Sequence, residues 1–228
     1  MDEVAAYPLP VSAVLFDLDG TLADSAGDLA TALNCVRADA GLAPVAADSL
    51  RAHASSGARG LLGAGMGITP EHPEYAGLRE SFLDHYLRCL ADTTQLFDGV
   101  AAMLTEIEAR GLPWGIVTNK HGRFTALLVA ALDLAERAGT VVSGDTTPHA
   151  KPHPAPLLYA ADALRVAPGS CVYVGDDLRD IQAGNAAGMS TIVASYGYMG
   201  TDHEVSAWPA TGRIARPIDL LDWLPPGR

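Results

Sequence analysis

Two carboxylates one residue apart stand near the start of the chain. Asp17 and Asp19 follow a short apolar run, residues 13–16, and Gly20 comes directly after them. Such a run is typical of a buried strand, and residues i and i+2 of an extended chain point to the same side. We therefore expect the two carboxylates to converge at the carboxyl end of a strand, where open α/β sheets bind their ligands.

Gly20 adds a second property to this acidic pair. A glycine lets the backbone turn and present N–H groups to an anion, so Gly20 is a candidate phosphate-binding residue. Alone, the pattern fits an acidic surface loop about equally well. A calcium loop fits less well, because its glycine comes later and a glutamate closes it.

Two neutral polar side chains end the next apolar segment of the core, residues 114–117. They are Thr118 and Asn119. A hydroxyl and an amide can both hold phosphate oxygens, so both are candidate substrate-binding residues. The alternative for Thr118 is to cap the helix that follows.

Lys151 stands in a proline-rich stretch. Pro148, Pro152 and Pro154 stiffen the backbone around it. A lysine held in this way can neutralise a bound phosphate and steady an attacking carboxylate. Most lysines instead lie solvated at the surface, which is the alternative for this one.

A second group of carboxylates follows the apolar segment 170–174. Asp176, Asp177 and Asp180 supply hard oxygen ligands, which Mg²⁺ prefers together with water and substrate phosphate. We assign Asp176 and Asp177 to the metal, and whether Asp177 or Asp180 completes the metal shell stays open. An acidic N-cap of the next helix is the alternative.

Together the four clusters predict phosphoryl transfer. Asp17 would attack phosphorus and form an aspartyl phosphate, while Asp19 would protonate the leaving alcohol and later deprotonate water. Lys151 would stabilise the transferring group, and Mg²⁺ held by Asp17 and Asp176 would align the in-line attack. In this reaction a negatively charged carboxylate approaches a negatively charged phosphate, so cations are needed beside them.

The elements that must position these residues alternate along the chain. Apolar segments predict strands at residues 13–16, 114–118, 140–143, 170–174 and 191–194. Helical spacing predicts helices at 99–110, 122–132, 155–164, 178–187 and 218–224. This alternation implies an α/β fold with a parallel sheet and helices on both faces. Residues 24–91 show helices and no convincing strand, which indicates a small helical insert.

Bulk composition narrows the class of protein. The chain has 228 residues, 49% of them hydrophobic, and a formal net charge of −12. It can bury a full core, and it repels polyanions, which argues against nucleic acid as a partner. Three widely spaced cysteines indicate reduced thiols. Since no apolar stretch reaches about 18 residues and residues 1–10 lack a basic leader, we expect no membrane contact and a cytoplasmic location.

In order and spacing, the clusters resemble the four motifs of the haloacid dehalogenase superfamily. The matching segments are residues 17–22, 117–119, 151–152 and 175–180. Asp19 makes the chain similar to the phosphatase branch. The resemblance implies a Rossmann-like catalytic core, residues 1–21 and 93–228, with an all-helical cap domain, residues 22–92. It also implies Mg²⁺ bound by Asp17, Asp176 and the backbone carbonyl of Asp19.

Within the superfamily, the chain looks most like phosphoglycolate phosphatases, which implies hydrolysis of 2-phosphoglycolate to glycolate and phosphate. It is also similar to the N-acetylmuramic acid 6-phosphate phosphatases of peptidoglycan recycling. The cap would recognise the leaving group through Ser55, Ser56 and Arg59. Arg59 could pair with a carboxylate, which both substrates carry, and a solvated arginine is the alternative. His121 stands where many relatives have proline, which bears on substrate preference.

Two other functions stay open. A sugar phosphomutase would use Asp19 to return the phosphoryl group, and would produce isomerised sugar phosphate instead of free phosphate. A non-catalytic scaffold would be expected to have lost Asp17 or Asp176, and both are present. The partner we expect is a small phosphomonoester, bound by a monomer or homodimer.

We expect Asp17→Asn to abolish turnover, because an amide cannot serve as the nucleophile toward phosphorus. Phosphate release and recovery of a phosphoenzyme after acid quenching measure the effect. Asp162→Asn, outside the four clusters, is the control. Activity retained in Asp17→Asn would remove Asp17 from the role of nucleophile.

Overall fold

Within residues 8–200 and 204–227, which the computed structural model describes, a six-stranded parallel sheet forms the centre of the molecule. The strands are β1 (Ala13–Phe16), β2 (Ala23–Asp24), β3 (Gln95–Leu96), β4 (Trp114–Val117), β5 (Thr140–Val142), β6 (Cys171–Gly175), β7 (Ser190–Ala194) and β8 (Gly212–Ile214). The order in the large sheet is β5-β4-β1-β6-β7-β8, and all its pairs are parallel. The predicted Rossmann-like parallel sheet is confirmed.

Helices cover the sheet and fill the insert. They are α1 (Ala26–Asp39), α2 (Ala47–Leu50), α3 (Gly57–Met66), α4 (Tyr75–Cys89), α5 (Val100–Ala109), α6 (Gly122–Ala131), α7 (Ala155–Ala163) and α8 (Leu178–Ala186). Short 3₁₀ segments lie at Arg51–Ser56, Pro168–Ser170, Val205–Ala207 and Pro217–Asp222.

Strand β1 is buried on both faces. Val14 and Phe16 pack into one apolar cluster, while Ala13 and Leu15 pack into another on the opposite side. All four are fully buried, as expected for a central strand of a parallel sheet covered by helices on both faces. The core therefore packs against β1 from both sides, and this fixes the position of the residues that directly follow the strand.

The helices α1 to α4 form an insert between β2 and β3. They share an apolar cluster that includes Leu33, Leu62 and Phe82. At its two ends the chain comes back together, because β2 and β3 pair antiparallel. This pairing supports the predicted cap at residues 22–92, whose boundaries stay a prediction.

Some elements differ from the sequence prediction. The pair β2–β3 and the edge strand β8 were not predicted, because each of these short strands holds only one apolar residue, whereas the equally short β5 has two valines. The predicted helix at 218–224 is a 3₁₀ segment at Pro217–Asp222. Pro217 starts this segment and Pro225 follows it closely, and so short a stretch gains little from α-helical propagation.

Some expectations concern chain ends and thiols. Residues 1–7, 201–203 and 228 of the predicted core lie outside the described residues. The same holds for residues 1–7 of the segment 1–10, which was predicted not to be a leader. No helix in the described part is long and apolar enough to cross a membrane. Cys35, Cys89 and Cys171 are free thiols, and burial raises the pKa of Cys89 and Cys171 to about 11.

Asp28 ties the insert to the chain that returns to the core. Its carboxylate is 1% exposed and accepts hydrogen bonds from the backbone N–H groups of Thr93 and Thr94, at 2.9 and 3.1 Å. Both threonine hydroxyls donate to it as well. Four donors therefore meet on one buried carboxylate, at the first turn of α1.

We expect Asp28→Ala to lower the free energy of unfolding by about 2–4 kcal/mol, because four donors lose a buried charged acceptor. Urea unfolding measures the change. Asp48→Ala, at an exposed position of α2, should change stability by less than about 0.5 kcal/mol. Equal effects of the two substitutions would show that the Asp28 network is not a stabilising link.

Candidate active site

The predicted site residues come together at the carboxyl edge of the sheet. Asp17 follows β1, Thr118 follows β4 and Asp176 follows β6, and these three strands are neighbours. The Asp17 N–H donates to the Val174 carbonyl at 2.9 Å, which extends the sheet by one residue. A cavity of about 580 Å³ opens at this edge between the core and the insert.

Three carboxylates share one small volume at the floor of the cavity. Asp17, Asp176 and Asp180 each place an oxygen within 4.8 Å of the others, and their exposed fractions are 9%, 0% and 1%. Burial, with Asp180 nearby, raises the pKa of Asp17 to about 7 although Lys151 opposes the shift. Burial, then the neighbouring carboxylates, raises the pKa of Asp176 well above its usual value.

Lys151 lies among these carboxylates. Its Nζ is 2.8 Å from Asp17 Oδ1 and 2.7 Å from Asp180 Oδ1, and it also donates to the Tyr173 hydroxyl and the Val117 carbonyl. Burial works against the charged ammonium, but the two carboxylates outweigh it, so the pKa of Lys151 is raised. The lysine is a buried cation and not a solvated one.

The donor set fits a hard divalent cation. One lysine stands against three carboxylates, so the cluster carries surplus negative charge when all are ionised. Asp17 Oδ1 is buried and accepts no well-oriented hydrogen bond from the described residues, its contact with Lys151 being an ion pair. Clustered carboxylate oxygens of this kind are the ligands that Mg²⁺ and Ca²⁺ prefer.

Asn119 holds Lys151 in place. Its side-chain amide donates to the Lys151 carbonyl and its side-chain oxygen accepts from the Lys151 N–H, both at 2.9 Å. Asn119 lines the cavity, but both side-chain groups are committed to the backbone of the lysine. Its predicted substrate contact stays a prediction, and positioning of Lys151 is the role the contacts describe.

Thr118 is buried at the tip of β4. Its hydroxyl accepts a hydrogen bond from the Lys120 N–H at 3.1 Å. A hydroxyl that accepts in this way can still donate its own proton to a phosphate oxygen. The position of Thr118 beside the cavity is therefore compatible with its predicted role.

Asp19 is held by two side chains. Lys120 Nζ donates to both carboxylate oxygens, at 2.9 and 3.0 Å, and the Ser25 hydroxyl donates to Oδ1. Burial opposes the charge of Lys120, but Asp19 and Tyr86 outweigh it, so the pKa of Lys120 is raised. The predicted acid and base therefore sits beside a permanent cation, which the sequence interpretation left without a role.

Ser25 stands at the N-terminus of α1 but does not cap the helix with its side chain. Its hydroxyl is used by Asp19, and the N–H groups of Ser25 and Ala26 instead donate to the Tyr198 hydroxyl, at 2.7 and 3.0 Å. The Tyr198 N–H donates to Asp176 Oδ2 at 2.9 Å. One tyrosine therefore contacts both the first helix of the insert and a carboxylate of the cluster.

Asp177 is not part of the carboxylate cluster. Both its oxygens pair with Arg179 at 2.8 Å, and it caps α8 in a reciprocal capping box with Asp180. Its burial is outweighed by the arginine, so the pKa of Asp177 is lowered. The structure brings Asp180, and not Asp177, to Asp17 and Asp176.

Gly20 was predicted to present its N–H to a phosphate, but in the structure it shapes the turn after β1. Its N–H donates to the Ala23 carbonyl at 2.9 Å, so this group is used inside the chain. Its φ of +88° lies in the left-handed region, and a Cβ there would overlap the Asp176 carboxylate. Only glycine lets the turn approach that carboxylate so closely.

The cap residues lie on the wall of the cavity. Ser55, Ser56 and Arg59 all line it, and the Ser55 hydroxyl reaches Asp176 Oδ2 at 3.3 Å. Arg179 donates to the Ser55 carbonyl at 2.8 Å. The insert is therefore closed onto the core in this structure.

Sequence reasoning missed several residues of the site. Lys120 was visible as a lysine two residues after Thr118, a position close to the strand tip. Tyr86, Arg179 and Tyr198 gave no local signal, because only the fold brings them to the cavity or to Asp176.

The chain is similar to known proteins. A model of haloacid dehalogenase-like hydrolases matches residues 14–194. The chain is 39% identical over 214 residues to the N-acetylmuramic acid 6-phosphate phosphatase of Pseudomonas aeruginosa, covering 94% of this chain and 95% of that protein. It is 42% identical over 210 residues to a phosphoglycolate phosphatase of Xanthomonas campestris, covering 92% and 95%.

A solved structure shares the fold. The crystal structure of a predicted phosphoglycolate phosphatase from Haemophilus somnus matches with a TM-score of 0.82 and 24% identity, covering 93% of this chain and 97% of that one. At this identity, the likeness concerns the fold alone.

Proposed function

Since the chain belongs to the haloacid dehalogenase-like hydrolase family, and its relatives include phosphomonoester phosphatases, we propose that it hydrolyses a small carboxylated phosphomonoester through an aspartyl-phosphate intermediate. One observation carries this proposal. Asp17 lies 2.8 Å from Lys151 at the floor of a cavity, and Asp19 lines the same cavity, held by Lys120.

The side chains divide the reaction between them. A carboxylate oxygen of Asp17 forms a bond to phosphorus while the bond from phosphorus to the ester oxygen breaks. Asp19 gives a proton to the departing oxygen and then takes one from the water that attacks the aspartyl phosphate. Lys151 and Thr118 contact the charged oxygens of the transferring group.

Asp17, Asp176 and the backbone carbonyl of Asp19 are the ligands we propose for Mg²⁺, with Asp180 as the further carboxylate beside it. Asp180 takes the place that we had assigned to Asp177, because Arg179 occupies both oxygens of Asp177. When bound, Mg²⁺ supplies positive charge where the substrate phosphate and the Asp17 carboxylate approach each other.

Two substrates fit this chemistry, and they differ in size. 2-Phosphoglycolate was the first expectation from the sequence, with N-acetylmuramic acid 6-phosphate as the alternative. A cavity of about 580 Å³ falls within the range of about 300–1,000 Å³ that holds drug-sized ligands, which favours the sugar phosphate over a two-carbon acid. The wall also carries Arg59, Arg79 and Arg123, which can pair with the carboxylate of either substrate.

The proposal also covers the location and the assembly of the enzyme. We propose that the enzyme works in the cytoplasm as a monomer or homodimer. The carboxylate cluster and cavity described above lie within one chain, so a single chain supplies the proposed machinery.

We expect Mg²⁺ binding to release protons. Burial raises the pKa of Asp17 to about 7 and that of Asp176 well above the usual range, so without metal these groups hold protons that a divalent cation must displace. Without metal, the raised pKa values make stability fall as pH rises from about 4 to 7, and Mg²⁺ should offset that fall. Calorimetric titration at pH 6.5 in two buffers of different ionisation enthalpy counts the protons.

Zero proton release at pH 6.5 would contradict the raised pKa of Asp17. Titration of Asp176→Asn, which removes one carboxylate, should show weak or absent Mg²⁺ binding. Asp162→Asn serves as the control with unchanged binding.

We expect phosphate release from N-acetylmuramic acid 6-phosphate with a higher kcat/KM than from 2-phosphoglycolate, measured side by side. Arg59→Ala should raise KM for either carboxylated substrate about tenfold while changing KM for p-nitrophenyl phosphate little, because only the former can pair with the guanidinium. An equal rise for all three substrates would dismiss the carboxylate contact. The opposite order of kcat/KM would return 2-phosphoglycolate to first place.

A further inference from the structure

Tyr86 carries a buried hydroxyl whose proton no described residue accepts. The residue lies on α4 in the insert, is 2% exposed and lines the cavity. Its hydroxyl makes no well-oriented hydrogen bond with the described residues; the Lys120 ammonium interacts with it but can only donate, so none of these residues accepts the phenol's own proton. Buried polar groups of a folded protein nearly always have a partner, so this hydroxyl calls for a ligand that supplies one.

The ring of Tyr86 is fixed in place. It stacks on Phe82 with centroids 6.3 Å apart and meets Phe124 of the core at 5.4 Å. Lys120 Nζ lies 4.8 Å from the ring centroid while donating to both oxygens of Asp19. A ring held on three sides cannot swing its hydroxyl to another partner without repacking.

The hydroxyl is a proton donor at neutral pH. Burial raises the pKa of Tyr86 to about 12, with Lys120 opposing the shift, so the phenol stays protonated. A phenol donates one hydrogen bond. The group that completes Tyr86 must therefore offer an acceptor oxygen or nitrogen inside the cavity, on the side where Lys120 holds Asp19.

We propose that the Tyr86 hydroxyl is a specificity contact that donates a hydrogen bond to a second oxygen of the leaving alcohol. This oxygen lies near the ester oxygen that Asp19 protonates, so the preferred substrate carries a carboxylate, hydroxyl or ring oxygen next to the ester carbon. The inference rests on the proposed phosphatase activity and deepens it by naming the class of leaving group. Without that oxygen, an alkyl leaving group leaves the phenol unpaired in the closed cavity, which costs binding.

Tyr86→Phe is the test, because phenylalanine keeps the ring against Lys120 and removes only the hydroxyl. The measurement is kcat/KM for two matched pairs of substrates: 2-phosphoglycolate with ethyl phosphate, and N-acetylmuramic acid 6-phosphate with cyclohexylmethyl phosphate. We expect wild type to prefer the oxygenated member of at least one pair, and Tyr86→Phe to reduce that preference about tenfold. Tyr159→Phe, half-exposed on α7, is the control with wild-type preference.

A second measurement does not depend on activity. Because the hydroxyl's proton has no acceptor in the described residues without substrate, Tyr86→Phe should leave the thermal unfolding midpoint unchanged or raise it. A lowered midpoint would overturn the proposal, since it would mean that the hydroxyl already has a partner within the protein. An equal loss of kcat/KM on both members of each pair would also overturn it.

The outcomes separate this inference from the proposed function. Phosphate release by wild type, with unchanged preference in Tyr86→Phe, overturns the role of Tyr86 and leaves the phosphatase standing. Absence of phosphate release by wild type from all four esters and from p-nitrophenyl phosphate overturns both.

Discussion

The site depends on holding like charges together away from water. Asp17, Asp176 and Asp180 lie close together almost without solvent exposure, and the Lys151 ammonium pairs with two of them, Asp17 and Asp180. Charged groups are costly to bury unless they are paired. The raised pKa of Asp17 and Asp176 expresses this cost.

The central position of β1 in the sheet brings these side chains together. The strand lies between β4 and β6, so residues that follow three adjacent strands reach the same point at the carboxyl edge. Lys151 comes from the segment between β5 and α7, and the Asn119 side chain fixes its backbone. The charge cluster is thus assembled from distant parts of the chain, each fixed by the sheet or by a hydrogen bond to it.

Much of the fold followed from patterns that extend over many residues. Helices α5 to α8 and the strands β1, β4, β6 and β7 were predictable, because apolar spacing repeats along each of them. The edge strand β8 was not, since Ile214 is its one apolar side chain. Site residues were predictable where they follow a strand tip, as Asp17, Thr118 and Asp176 do.

The missed parts of the site depend on contacts between elements. Ser25 directly precedes α1, where a serine side chain commonly caps the helix, but its hydroxyl donates to Asp19 instead. The Gly20 N–H was predicted to bind an anion, but it donates to the Ala23 carbonyl within the turn. The sequence does not tell which of Asp177 and Asp180 completes the metal shell, and in the structure Arg179 pairs with Asp177. A single sequence carries no direct record of such competition for partners.

The two contacts of Tyr198 have a mechanical consequence. Its hydroxyl accepts from the start of α1, while its own N–H donates to Asp176. A rotation of the insert about the β2–β3 pair must therefore stretch one of these bonds or drag the loop after β7 along with it. Through this one tyrosine, the start of the insert is linked to the backbone contact that holds Asp176.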